Sequence, residues 1–367
     1  MKWQYCNPVH VVFTRAFHQS LAELIGNKKN VLVMCSERFR LSRDFARLKN
    51  NLTDFQCFTN IENNPSYESH QKAIDFATSA APEVIVAIGG GSVIDTAKVA
   101  RMALYSSCRN VQDLFASQKE PIKKALFIAI PTTHGSGSEL TMWATIWDKV
   151  KKTKYSLQNP LNYPDHAIYD VNLVASLPIT VSISSTFDAL SHAWEALWNK
   201  NANPVSSHLA IEAIRRIAAA LDKLVVPISS ETRENLLMAS MYAALAFSNT
   251  KTAAAHSISY PLTAYFNIPH GIACSMPLHS LAKINFRHMQ NELPYIFSRI
   301  QLGSFEELWE RMQKTTRGKV PLSLREYGIN KEDLEMLADL GFSKGRMENN
   351  IAVLSRQDVL NILKDVF

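Results

Sequence analysis

A doubly wound α/β domain with a parallel sheet, followed by an all-helical domain, is the fold class this 367-residue sequence predicts. Three observations predict it. Short, wholly apolar runs recur in the first half, as strands buried on both faces of a parallel sheet require. Helical patterns fill the gaps between those runs, the alternation that builds βαβ units. From Ser184 onward the texture changes to long helical periodicities without a convincing strand.

The elements follow in order. Residues 31–34 (VLVM) form the first apolar run and pass into polar Ser36, Glu37 and Arg38; residues 84–88 (VIVAI) form the second. Residues 125–130 (ALFIAI) form the third, stopped by Pro131, whose ring cannot continue a central strand. Residues 66–78 and 92–105 read as helices between them. Beyond Pro178, helical periodicity covers 186–198, 206–224, 232–248, 252–265, 304–313, 331–340 and 355–366. The boundary is placed in the segment 174–179, which divides the chain into residues 1–178 and 179–367, and a chain of this length is expected to form two domains.

Composition narrows the class. With 47% hydrophobic and 20% charged residues the chain is an ordinary globular one, and no window reaches the apolar length of a membrane span. Its start lacks the apolar core of a signal peptide, so a cytoplasmic protein with no membrane association is expected. Five cysteines without CxxC pairing argue against a disulfide framework and against a thiolate zinc site. The net charge of +6 is modest, and the one dense basic run, residues 149–154, lacks interleaved aromatics, so nucleic acid is rejected as a partner. A small anionic substrate suits this surface.

Two loops and one set of scattered side chains carry chemistry. The second apolar run passes straight into Gly89-Gly90-Gly91-Ser92 and then a helix, so backbone N–H groups and a positive helix end meet whatever approaches; phosphate is the natural occupant. No Gly-Lys-Ser/Thr follows, which removes a Walker loop. After the third run comes Pro131-Thr-Thr-His-Gly-Ser-Gly-Ser-Glu139, small hydroxyl residues at the carboxyl edge where such sheets bind cofactors. Asp188 and His192 stand i and i+4 on one helix face and can address a single ion. His256, in a helix, and His270, in the loop 267–271, supply two further imidazoles. One carboxylate and three imidazoles suit Fe²⁺ or Zn²⁺ and suit Ca²⁺ or Mg²⁺ poorly. Among eleven histidines the spacing alone also fits packed core residues.

Taken together, these motifs resemble the iron-containing (group III) alcohol dehydrogenase family, in the family's order and over nearly the whole chain. The resemblance implies a dinucleotide-binding α/β domain of residues 1–178 and a helical metal-binding domain of residues 179–367. It implies a divalent ion, Fe²⁺ with Zn²⁺ as the alternative, held by Asp188, His192, His256 and His270. Gly90, Gly91, Ser92 and Asp95 then line the pyrophosphate and nicotinamide end of the cofactor, and Thr132, Thr133, Ser136, Thr141 and Lys154 complete its pocket. Cys35 and Ser36, in place of a ribose-binding carboxylate and with Arg38 and Arg40 nearby, favour NADPH over NADH. Many family members carry a histidine at the position of Tyr260; here Tyr260 joins His256 and His270 as the catalytic set. His134 stands where small residues are common in the family and narrows the expected pocket.

A closer resemblance is to the phosphonoacetaldehyde reductases of that family, carried by residues 144–148 (ATIWD), 152–157 (KTKYSL), 190–198 (LSHAWEALW), 201–204 (NANP) and 259–263 (SYPLT). It implies reduction of phosphonoacetaldehyde to 2-hydroxyethylphosphonate, with a homodimer as the assembly open to it. The alternatives are an iron-dependent alcohol dehydrogenase for another small aldehyde, a lyase resembling dehydroquinate synthases, and a non-catalytic metal- or nucleotide-binding relative. The lyase family's metal site uses a Glu and two His, which the set here does not match.

Overall fold

The computed structural model describes residues 2–52, 54–106, 108–116, 125–343 and 345–367. They cluster into two compact units, one formed by Pro8–Thr133 with Ser138–Ser176, the other by Met1–Asn7, His134–Gly137 and Leu177–Phe367.

The first unit holds eight strands: β1 (His10–Thr14), β2 (Val31–Cys35), β3 (Phe55–Phe58), β4 (Val84–Gly89), β5 (Leu126–Pro131), β6 (Trp143–Asp148), β7 (Thr153–Gln158) and β8 (His166–Asp170). Six of them form one sheet in the order β1-β8-β5-β4-β2-β3, every pairing parallel. The three expected strands are three of its four interior members, β8 being the fourth. Val31, Val33, Cys35, Val84, Val86, Ile88, Ile128 and Ile130 pack on one face with Phe17–Ile25 and Arg43–Asn51, two helices the sequence reading did not mark. Leu32, Met34, Ile85, Ala87, Phe127 and Ala129 face the other way, onto helices Tyr67–Ala80 and Gly91–Ser106. Alternate residues serve opposite cores, so the runs must be apolar throughout.

Strands β6 and β7 form a separate antiparallel hairpin. Residues 144–148 and 152–157, read only as family texture, are these two strands. The basic run 149–154 contains their turn, where Asp148 accepts hydrogen bonds from the N–H groups of Val150 and Lys151. It is a solvated hairpin tip.

The second unit is helical, as expected, with no named strand among the described residues. Its longest members are Ile179–Leu197, Pro204–Leu221 and Ser230–Thr250, and helix Ala254–Phe266 ends on the left-handed Asn267. One expectation is corrected here. His270 does not lie in a loop; it is the first residue of the helix His270–Ser275, which starts directly after Pro269. Among the described residues, no helix is long and apolar enough to cross a membrane.

Candidate functional site

In the sheet unit, parallel pairing brings Cys35 level with Ile88 and Gly89 level with Pro131, so the segments after β2, β4 and β5 emerge at one edge. Ser36, Gly90, Gly91, Ser92, Thr132 and Thr133 are all partly exposed there. Packing requires the first glycine and crowds the second. A Cβ on Gly89 would stand 2.4 Å from a Val93 methyl, and one on Gly90 would stand 3.3 Å from the Thr133 methyl. The Ser36 hydroxyl caps the turn Glu37–Arg40 by accepting from the Phe39 N–H at 3.2 Å. Arg38 donates to the Ser176 carbonyl at 2.8 Å, and the Arg40 guanidinium is paired with Glu37. Both arginines beside Ser36 are thus engaged within the protein. Lys154 lies over the Trp147 ring, 5.7 Å from its centre.

Asp95 and Thr141 have an internal task in this structure. Asp95 accepts from the Ser138 hydroxyl at 2.7 Å and from the Thr145 N–H at 2.8 Å, which ties helix Gly91–Ser106 to β6. Thr141 accepts from the Lys98 ammonium at 3.3 Å. That ammonium is fully buried, and desolvation pushes it down to about 8 despite Asp95 nearby. Lys98 also donates to the Trp143 carbonyl at 2.7 Å.

The loop after β5 divides between the units: Thr132 and Thr133 belong to the sheet unit, His134–Gly137 to the helical one. Gly135 meets the Ser185 backbone so closely that a Cβ would stand 2.7 Å from its carbonyl oxygen. His134 is buried, and neither of its ring nitrogens hydrogen-bonds within the described protein. Ser136 beside it stays partly exposed.

The helical unit gathers the candidate metal ligands. Helix Ile179–Leu197 carries Asp188 and His192 on one face, with His192 Nε2 3.9 Å from Asp188 Oδ1. His256, near the start of helix Ala254–Phe266, brings its Nε2 to 3.5 Å from the same oxygen. Gly271 makes the third approach geometrically feasible, because any Cβ there would fall 1.9 Å from the Ser184 carbonyl oxygen and 2.9 Å from the Asp188 Cβ. A residue without a side chain lets His270 reach Asp188.

Two residues in this cluster escaped the sequence reading. Glu195 is wholly buried, and its carboxylate accepts from the His256 backbone N–H at 3.0 Å and from His256 Nδ1 at 2.6 Å. It stands seven residues after Asp188, so 188, 192 and 195 make one helical stripe, a signal the sequence offered. Cys274 lies i+4 from His270 on the short helix, also wholly buried. Its thiol lies 3.7 Å from both His270 ring nitrogens and donates to the Ser259 hydroxyl at 3.2 Å. Among the described residues, the donor atoms of Asp188, His256, His270 and Cys274 all lie within 4.8 Å of one another. His192 stands beside this group, its ring stacked between Phe247 at 4.0 Å and His256 at 4.4 Å.

The electrostatics call for a cation. Burial opposes ionisation of Asp188, yet His192, His256 and His270 hold its carboxyl well below the usual range. Burial likewise opposes ionisation of Glu195, and His256 outweighs it. Burial opposes a charge on His256, yet Cys274, Glu195 and Asp188 around it raise its pKa well above the usual imidazole range, and its Nε2 stands 3.5 Å from Asp188 Oδ1. A metal bound there would take the place of that imidazolium charge: with Nδ1 held by Glu195, a neutral His256 would turn its Nε2 lone pair towards the ion beside Asp188. Ligands about 2.1 Å from a tetrahedral ion stand roughly 3.4 Å apart, so the residues present fit a divalent transition metal.

Fold and site together define a two-unit α/β-plus-helical protein with a buried cluster of carboxylate, imidazole and thiol donors that could hold a metal ion. The chain belongs to the Fe-containing alcohol dehydrogenase family: the family's C-terminal model matches residues 182–367, and the iron-containing alcohol dehydrogenase model matches residues 8–171. It is an enzyme of the oxidoreductase class, and the lyase alternative falls with this assignment. An NADPH-dependent butanol dehydrogenase of Clostridium saccharobutylicum is 29% identical over 350 residues, 91% of this chain and 89% of that protein. A sulfoacetaldehyde reductase of Bilophila wadsworthia is 28% identical over 335 residues, 86% and 84% of the two chains. Among solved structures, a sulfoacetaldehyde reductase from Bifidobacterium kashiwanohense in complex with NAD+ superposes with a TM-score of 0.89 at 24% identity, over 100% of this chain and 99% of that one, and shares the fold.

Proposed function

We propose that this enzyme reduces phosphonoacetaldehyde to 2-hydroxyethylphosphonate, with NADPH as hydride donor and Fe²⁺ held by Asp188, His192, His256 and His270. The observation that carries the anionic substrate is Arg346. Its guanidinium lies 4.9 Å above the Tyr260 ring, and that ring stacks on His270 at 6.1 Å. A positive charge therefore lies over the aromatic ring that stacks on a metal-ligand candidate, and it suits an anionic head group. Similarity to a sulfoacetaldehyde reductase supports a small aldehyde carrying an anion on the adjacent carbon.

When bound, the metal supplies Lewis acidity towards a carbonyl oxygen and the nicotinamide supplies hydride. The chain's own groups do the rest. Asp188, His192, His256 and His270 hold the ion, and Glu195 fixes the His256 ring so that Nε2 faces it. Arg346 binds and orients the phosphonate. The Tyr260 hydroxyl, on a ring stacked against His270, gives the proton that the product oxygen requires. Ser36, Gly90, Gly91, Ser92, Thr132, Thr133, Ser136 and Lys154 contact the cofactor, while Asp95 and Thr141 keep helix Gly91–Ser106 and β6 in place behind it. The lack of a carboxylate at Ser36 leaves room for a 2′-phosphate.

A substrate panel tests this reading. Phosphonoacetaldehyde is expected to exceed butanal in kcat/KM by orders of magnitude, with NADPH used better than NADH. Arg346→Met should raise KM for phosphonoacetaldehyde about tenfold or more, the loss of one charge-assisted contact, and leave butanal turnover unchanged. Equal use of butanal would return the enzyme to a general aldehyde reductase, and a preference for sulfoacetaldehyde would replace the phosphonate by a sulfonate.

A further inference from the structure

We propose that Ser257 is a positioning residue for Arg346: its hydroxyl fixes Ser343, and Ser343 in turn fixes the backbone from which the guanidinium covers the Tyr260 ring. The inference rests on the anion-binding reading of Arg346 and deepens it, by naming what keeps that charge in place.

Ser257 is wholly buried in helix Ala254–Phe266. A helical serine commonly turns its hydroxyl back onto the carbonyl four residues earlier, as Ser191 does to Phe187 at 2.8 Å. Ser257 spends its hydroxyl elsewhere. It donates to the Gly341 carbonyl at 2.6 Å and accepts from the Ser343 N–H at 2.7 Å, gripping a segment more than eighty residues away. The grip passes straight on to Arg346, because the Ser343 carbonyl accepts from the Arg346 N–H at 3.2 Å and from the Met347 N–H at 3.3 Å.

One helix thus serves both partners. Tyr260 follows Ser257 by three residues, so the two side chains lie on neighbouring positions of one helix face. The ring is presented by the same helix that holds the segment whose guanidinium lies 4.9 Å above it. Beyond Arg346 the chain has several fastenings. Asn349 donates through its side chain to the Thr252 carbonyl at 2.8 Å, its own carbonyl accepts from the Lys200 N–H at 2.8 Å, and Asn350 pairs with Asn285 at 3.0 and 2.8 Å. Ahead of Arg346 the Ser257 hydroxyl makes two contacts with one atom, so its loss frees the guanidinium on that side.

A double-mutant cycle and hydrogen exchange test this on the full-length, Fe²⁺-loaded enzyme. Ser257→Ala is expected to raise KM for phosphonoacetaldehyde about fivefold, the loss of buried hydrogen bonds that hold the binding group, with kcat kept within about twofold. In an Arg346→Met background the same substitution should change KM no further, because its effect passes through the guanidinium. Amide exchange across residues 341–347 should quicken in Ser257→Ala, while residues 349–352 keep wild-type protection. Ser257→Cys, nearly the same size and a weaker hydrogen-bonding group, should move KM and exchange the same way, and it keeps the test decisive should the alanine variant fold poorly. Wild-type exchange in both variants, or a KM effect that persists undiminished beside Arg346→Met, overturns the proposal. An Arg346→Met enzyme with wild-type KM overturns the anion-binding reading instead, and the two failures are told apart because exchange is read without substrate.

Discussion

Replacing Glu195 by Gln removes a buried charge while keeping nearly the same shape, and so isolates what the carboxylate does for His256. With the ionised partner gone, Nδ1 is no longer obliged to be the protonated nitrogen, and Nε2 loses basicity towards the ion. Metal affinity is expected to fall about 10- to 100-fold, measured by competition with a chromophoric chelator, with helical content unchanged. Retained affinity would show that Glu195 only fills space. At this scale the sequence was half legible. Asp188 and His192 announce themselves by spacing, and the same helical stripe extended to Glu195. Cys274 was hidden for a different reason. Cysteine count and the lack of CxxC pairs speak about sites built from thiolates alone, whereas a single thiol joining a carboxylate–imidazole cluster leaves no such pattern.

Among the elements, the short helix His270–Ser275 depends on one contact. Gly271→Ala places a methyl carbon inside the Ser184 carbonyl and against the Asp188 side chain, so the helix must move away from Ile179–Leu197. Such overpacking costs about 1–3 kcal/mol and withdraws His270 from Asp188 as well. Thermal unfolding should shift downward and metal content should drop together; a stability loss with full metal retention would separate the contact from the site. Legibility also varied by element. Strands β2, β4 and β5 were visible because they are sandwiched between two cores and read as unbroken apolar runs. Strands β1 and β3 lie at the sheet edges with partly exposed residues, and the pattern that marks a buried strand is missing from them. Strand β8 is interior, but its apolar run is only Ala167–Tyr169, bounded by His166 and Asp170.

For the whole molecule, two buried histidines set a response to acid. Desolvation pushes His70, in the sheet unit, and His134, in the helical unit, down to about 4, below their unfolded value of 6.5. Between those pH values the unfolded chain binds more protons than the folded one, so stability rises with pH there and falls on acidification. Each group should remove about 2 kcal/mol between pH 7 and pH 5. Denaturant midpoints measured at both pH values should show this, and His70→Gln should have a visibly smaller difference; an unchanged one would mean that His70 is already charged when folded. The order of strands and the place of His134–Gly137 in the helical unit lay beyond sequence patterning, since both depend on contacts between segments far apart in the chain.

Asp188, His192 and Glu195 share a rigid rod, and hence a common rotational phase. Slipping the register of helix Ile179–Leu197 by a single residue ahead of position 188 would swing all three through about 100° at once. The centre is thereby guarded by helix length as strictly as by residue identity, and a deletion that leaves each ligand in the text can still erase the place where they meet.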